Sequence, residues 1–345
     1  MRAALALAAV LIAPAARAQD LRLPTLPALQ RMGETPPPPP APAPRAVWTD
    51  GSERLVETEW LAALKDLDPA VSSFLAESKT RIVFTAPRPG MFDQNESQLA
   101  QYEAGTIYVN LRQLRAFAQP IFDKAPAEDA VRHLALLTVP IVSHEARHGI
   151  SRRELTKLLG QDYPYGSQED ETIAFAHQAL VVYRLDKAHG RTLAAYANHP
   201  MALDNHTLLV RLRLGGVVGG EGIFAGIDGI VRNAPGYRNH PVMAQMRPQT
   251  FIDGTLAGIE RNNLLRRRSI ARALGALSEK PDSEETRARR AALEAESETV
   301  ERELDKVAGA RAVLSDEALF RSLRGYYADT IQGLQSAWEK EKGGD

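Results

Sequence analysis

The sequence predicts an α+β fold dominated by helices, with a small sheet and a C-terminal helical hairpin region. Three observations carry this. Two short runs, TRIVFTAP (80–87) and GTIYVNL (105–111), are rich in β-branched and aromatic residues and read as strands. Long stretches around them place apolar residues at helical spacing. From about Ile259 the chain turns to charged helices in which Leu293, Val300 and Val307 recur every seven residues, with Leu304 between them. At 345 residues, 44% hydrophobic and 25% charged, this is the composition of an ordinary folded protein of one or two domains.

Taken in order, the chain starts with a segment that does not belong to the fold. MRAALALAAVLIAPAARAQD has Arg2, an apolar run from Ala3 to Ala13, a helix-breaking Pro14, and ARA before Gln19. This is the pattern of a secretory leader over residues 1–18, and its apolar run is too short to span a bilayer. The mature chain is expected to be exported, periplasmic or extracellular, with no transmembrane segment. ETPPPPPAPAPRA (34–46) makes residues 19–47 a proline-rich linker, because proline fixes φ and removes backbone donors. Folded structure is expected from Trp48.

EWLAALKDLDPAVSSFLAES (59–78) has helical spacing, and Pro69 is expected to divide it into two short helices. Residues 88–104 are polar and turn-rich, a loop or hairpin connection between the strands. A long helical region begins near Pro126, with Glu128 and Asp129 favourable in its first turn. Pro140 should kink or restart it. Ser167 is a good N-cap for the next helix, and Gly190 is expected to end it. Beyond about Ile259, two charged helices broken near Pro281 suggest a short hairpin with coiled-coil-like packing, a place where a helix-mediated oligomer could form. The shift in composition puts an expected domain boundary between 258 and 259. It implies that residues 259–345 are not needed to assemble a site within 48–258.

Charge and residue usage narrow the chemistry. A net charge of -1 gives no general reason to expect a nucleic-acid partner. The short basic run LLRRRSIAR (264–272) reads as a solvated helix face. The chain has no cysteine, so disulfides, thiol nucleophiles and thiolate metal sites are excluded, and a metal must be held by His, Asp or Glu.

VPIVSHEARHGISRREL (139–155) carries the chemistry. Residues four apart on a helix share a face, so His144 and His148 can point at one ion, and two imidazoles suit Zn²⁺. Glu145 lies about 100° around the helix from His144, where it can reach water at the metal as a general base without completing the ligand set. The competing reading is three polar residues that share a helix. It leaves two histidines and a glutamate among apolar neighbours without the pairing that burial demands. A catalytic zinc commonly takes three protein ligands and keeps one open position. Continuation as H-x-x-G-x-x-H fails, because Ser151 and Glu154 stand where the glycine and third histidine would be. Glu154 is therefore a weaker third-ligand candidate.

HEARH resembles the gluzincin metallopeptidases, the thermolysin-like group of zincins. In that group the third ligand is a glutamate on a downstream helix, followed three residues on by alanine or four on by aspartate. The resemblance implies Glu171, from the match of Glu171-Thr172-Ile173-Ala174 in QEDETIAFAHQ, with Glu169 as the other glutamate at that helix start. The trailing aspartate is replaced by Phe175, which leaves Asp170 and Asp162 as candidates to hold a zinc-binding histidine from behind. It also implies an edge strand before the motif helix that can receive an extended substrate, and AQYEAGTIYVNL (100–111) fits that place. The resemblance spans about Arg81 to Gly190.

Tyr163, Tyr165 and His206 are candidate donors to a developing oxyanion. His177, six residues past Glu171, is expected to be packed or solvated rather than a ligand; His133, His189, His199 and His240 lie outside any partner motif. The expected function is zinc-dependent hydrolysis of amide bonds in a peptide or protein, cell-wall peptide included. The alternative is a non-catalytic exported scaffold acting through its C-terminal helices.

Overall fold

The computed structural model describes residues 47–87, 98–218, 225–234, 236–237, 240–279 and 281–343. The expected leader and all of the proline-rich linker except Val47 lie outside them. The described residues form a helix-dominated α+β fold with one small mixed sheet, the class expected from the sequence.

Helices α1 (Ser52–Leu67) and α2 (Pro69–Glu77) are divided where proline predicts. Asp68 caps α2 by accepting from the Val71 amide, and Pro69 follows at the first position, where its missing N–H costs nothing. Strands β1 (Arg81–Thr85), β2 (Ala100–Glu103) and β3 (Thr106–Asn110) form a sheet of order β1-β3-β2, with β1 parallel and β2 antiparallel to β3. The end of the expected connection is thus a strand. Ala104 and Gly105 join β2 to β3 with φ of 46° and 81°, the paired positive φ that lets a two-residue turn match strand twist. Among the described residues β2 lies at the edge of the sheet.

After α3 (Leu111–Phe122), helix α4 runs unbroken over Ala127–Leu159, 33 residues and about 50 Å long. The helix does not restart at Pro140. Proline withholds one donor from the preceding turn. Asn205 Nδ2 donates to the Leu137 carbonyl there at 3.0 Å, so a carbonyl of that turn keeps a buried partner. Helix α5 (Gln168–Leu193) begins where expected, with Ser167 Oγ accepting from the Asp170 amide at 3.0 Å. It does not stop at Gly190: it continues to Leu193 and passes into a 3₁₀ turn, Ala194–Tyr196. A glycine ends a helix only where it turns left-handed, and this one does not.

Helices α6 (Pro200–Val218) and α7 (Ala225–Asn233) pack on α5. A helical run from Pro248 then passes through α8 (Pro248–Phe251), a π turn (Ile252–Leu256) and α9 (Ala257–Ser278), followed by α10 (Glu284–Ser315) and α11 (Glu317–Lys342). No described helix is long and apolar enough to cross a membrane.

The heptad residues divide their work. Leu293 and Val300 pack with Ile270 and Leu277 of α9, as a hairpin requires. Val307 joins a different core, with Leu155 and Leu159 of α4, Tyr163, Ile173 of α5, and Phe320, Leu323 and Tyr327 of α11. The boundary expected near Gly258 falls inside a continuous helical run, and the helices beyond it cover the two longest helices of the domain. A chain ended at Gly258 would leave Leu155, Tyr163, Ile173 and Met243 facing water, and each fully buried large apolar side chain is worth about 1.5–3 kcal/mol. Such a chain should aggregate or elute as an expanded species in size-exclusion chromatography. A compact, soluble monomer with cooperative unfolding would contradict this packing.

Candidate metal centre

The site is built where α4 and α5 meet. The rings of His144 and His148 project from one face of α4, with centroids 4.9 Å apart and Nε2 atoms 3.2 Å apart. The Ser167 cap fixes the start of α5 and places Glu171 in its first turn. Glu171 Oε2 lies 3.8 Å from His144 Nε2 and 3.7 Å from His148 Nε2. Among the described residues, these three donor atoms form a group that could hold a metal ion.

Two ligands on a tetrahedral Zn²⁺, each at about 2.0–2.1 Å, are separated by about 3.3 Å. The three separations here bracket that value closely enough for small side-chain adjustments to close the site. The polar accounting agrees. Glu171 Oε2 is buried and accepts no hydrogen bond. An anionic oxygen removed from water without a donor is costly, and a cation supplies what is missing. The donor set fits a borderline cation such as Zn²⁺.

The surroundings orient each donor. Asp170 Oδ2 lies 2.8 Å from His148 Nδ1, so Asp170 holds the Nδ1 proton and Nε2 is the nitrogen turned to the metal side. Asp170 is thus the partner among the two candidates, while Asp162 pairs with Arg152. Phe175, where the resemblance places an aspartate, packs edge-on against His144 with centroids 4.5 Å apart. His144 Nδ1 makes no hydrogen bond.

Glu145 stands beside the ligands and outside their cluster. Its Oε2 accepts from the Tyr102 amide of β2 at 2.7 Å. The strand comes this close because residue 149 is glycine: a Cβ there would lie 2.7 Å from Phe74 and 2.9 Å from the Tyr102 ring.

The charges push each other strongly. Burial holds the His144 pKa well below the ordinary histidine range, and the neighbouring His148 adds to this. Burial opposes charge on His148 too, but Glu171 and Asp170 outweigh it and raise its pKa to about 10. Burial, with Asp170 and Glu145, pushes Glu171 up to about 7 against the pull of His148. Burial raises Glu145 as well.

The other expected residues have other work. Glu169 accepts from the Met243 and Ala244 amides at 3.0 and 2.9 Å, anchoring a loop. Glu154 is held by Tyr326 Oη at 2.7 Å and Arg147 at 3.1 Å. His177 is buried on Asp68. His206 is exposed on α6, Tyr163 is buried in the core shared with α11, and Tyr165 meets Phe251 edge-on. A phenol near the ligands is Tyr237, which burial and the charges of Glu171 and Glu145 keep protonated. It comes from the loop tied down by Glu169 and by Gln168, whose amide groups bond the Pro241 and Tyr237 carbonyls. His240 lies on the same loop, its ring 5.6 Å from that of Tyr237. No periodicity or spacing marks Tyr237; its neighbours Gly236 and Pro241 signal only a turn.

Compared with known protein families, with curated proteins and with solved structures, the chain matches none of them.

A metal must displace the proton that His148 carries near neutrality. Apparent Zn²⁺ affinity should therefore rise with pH, roughly tenfold per unit while one proton is displaced. Chelator competition at pH 6, 7 and 8 measures this. Affinity independent of pH would show that the ion binds elsewhere.

Proposed function

We propose that this chain is an exported zinc-dependent hydrolase that cleaves amide bonds in peptides or proteins. The observation that supports it is the meeting of two imidazole nitrogens and an unpartnered buried carboxylate oxygen, with a second carboxylate beside them and outside the ligand set. Zn²⁺ at this site would polarise a substrate carbonyl and lower the pKa of water at its open position.

The chain's own residues do the rest. Glu145 takes the proton of the attacking water and passes it to the leaving amine. Asp170 keeps the proton of His148 on Nδ1. Tyr237, kept protonated near Glu171, donates to the oxygen on which negative charge develops. Among the described residues β2 pairs with β3 on one side only, and the Tyr102 amide on its other side faces Glu145. An extended segment added along that edge brings its carbonyls to the base. A peptide or protein fits such an edge, and so does the peptide of a cell wall. The leader pattern of residues 1–18 supports action outside the cytoplasm. In a scaffold acting through its C-terminal helices Glu145 would only hold the Tyr102 amide, since a structural ion needs no base at its side.

Glu145→Gln keeps shape and hydrogen bonding but cannot accept a proton at neutral pH. It should retain zinc and fold while turnover of a mixed-peptide library, read by mass spectrometry, falls by at least about a hundredfold. Tyr237→Phe should lower turnover by about a hundredfold and leave the metal in place. Full cleavage by Glu145→Gln would overturn the mechanism; zinc-loaded wild type that cleaves nothing would favour the scaffold.

A further inference from the structure

Asp68 sits at the junction of α1 and α2 and is 1% exposed. Its Oδ1 caps α2 through the Val71 amide at 3.2 Å. Capping needs no more than that. Its Oδ2 serves a different purpose: it accepts from Ser143 Oγ and meets His177 Nε2, each at 2.6 Å. Ser143 immediately precedes the ligand His144 on α4, and His177 lies on α5, the helix of Glu171. One buried carboxylate oxygen thus joins both ligand-bearing helices at the level of the site. The same junction is tied to α5 again by Arg184, which donates to the Leu67 carbonyl at 2.8 Å.

We infer that Asp68 is a positioning residue of the metal centre: through Ser143 and His177 it sets the spacing of α4 and α5, and so the distances among His144, His148 and Glu171. The inference rests on the metal-site reading. A well-formed site holds its metal–ligand distances within about 0.2 Å of their ideal values, so the frame that carries the donors matters. Ser143 and His177 belong to the helices themselves, so loosening either bond lets one ligand helix shift against the other. The ligands' own partners, such as Asp170, orient single rings; Asp68 fixes the frame that carries them.

The test uses the full chain, with Co²⁺ as the probe, because its visible d–d bands report coordination geometry and a merely structural role would not move them. Asp68→Asn keeps the cap and replaces Oδ2 with a donor; Ser143→Ala removes the α4 limb alone. Both variants should bind Zn²⁺ about 10- to 100-fold more weakly than wild type, as loss of outer partners does, and show altered Co²⁺ bands. Wild-type affinity and an unchanged Co²⁺ spectrum in a folded variant, with only the melting temperature lowered, would overturn the inference. Should Asp68→Asn fail to fold, the Ser143→Ala result decides. Wild type that binds no Co²⁺ would overturn the metal reading itself, and this inference with it.

Discussion

Three donor atoms meet between α4 and α5 in a space almost closed to water, and one of them, Glu171 Oε2, has no donor to satisfy it. Crowding of this kind is unfavourable unless something pays for it. Desolvation works against charge on His148, Glu145 and Glu171 together, and the like charges of Glu145, Asp170 and Glu171 lie near one another. A protonated His148 offsets part of this, and a divalent cation in its place would offset more. Titratable groups perturbed this strongly by burial and by one another are characteristic of functional sites.

The surrounding fold serves that meeting point. Helix α4 must pass Pro140 without a break to carry HEARH at its centre, and Asn205 supplies a donor to the turn that proline disturbs. Residue 149 must lack a side chain for β2 to reach Glu145. Ser167 must cap α5 so that Glu171 falls in its first turn. The C-terminal helix then closes the assembly with adjacent tyrosines. Tyr326 engages Arg147 of the motif and Glu154 on α4, while Tyr327 is buried in one core with Tyr163 and Ile173 of α5. Arg184 of α5 pairs with Glu341 near the end of the same helix.

What the sequence made legible was local. The i, i+4 pair in HEARH, the break at Pro69, the two strands and the Ser167 cap each depend on residues a few positions apart, and each stands as expected. Glu171 needed the resemblance to a known pattern as well as the cap, and Asp170 was one of two candidates until geometry placed it on His148. The misreadings came from the same local rules. Proline and glycine suggest breaks at 140 and 190; Asn205 backs the turn at Pro140, and Gly190 does not turn left-handed. The residues that went unseen act over long separations: Tyr237 on Glu171, Asp68 on Ser143 and His177, and Tyr326 on Arg147. No periodicity encodes such pairs. The shift to charged residues after Ile259 suggested a separate region because charge marks the solvent face; the few apolar residues on the other face, Val307 and Tyr327 among them, decide where those helices pack.

His144, His148 and Glu171 are proposed to hold one zinc ion. Zinc K-edge X-ray absorption on the natively purified, zinc-supplied chain measures it most directly. The account predicts one zinc per chain, with two imidazole nitrogens at about 2.0–2.1 Å, carboxylate oxygen at about 2.0–2.2 Å, and no sulfur. A first shell without imidazole, or a folded chain that retains no zinc, would contradict it.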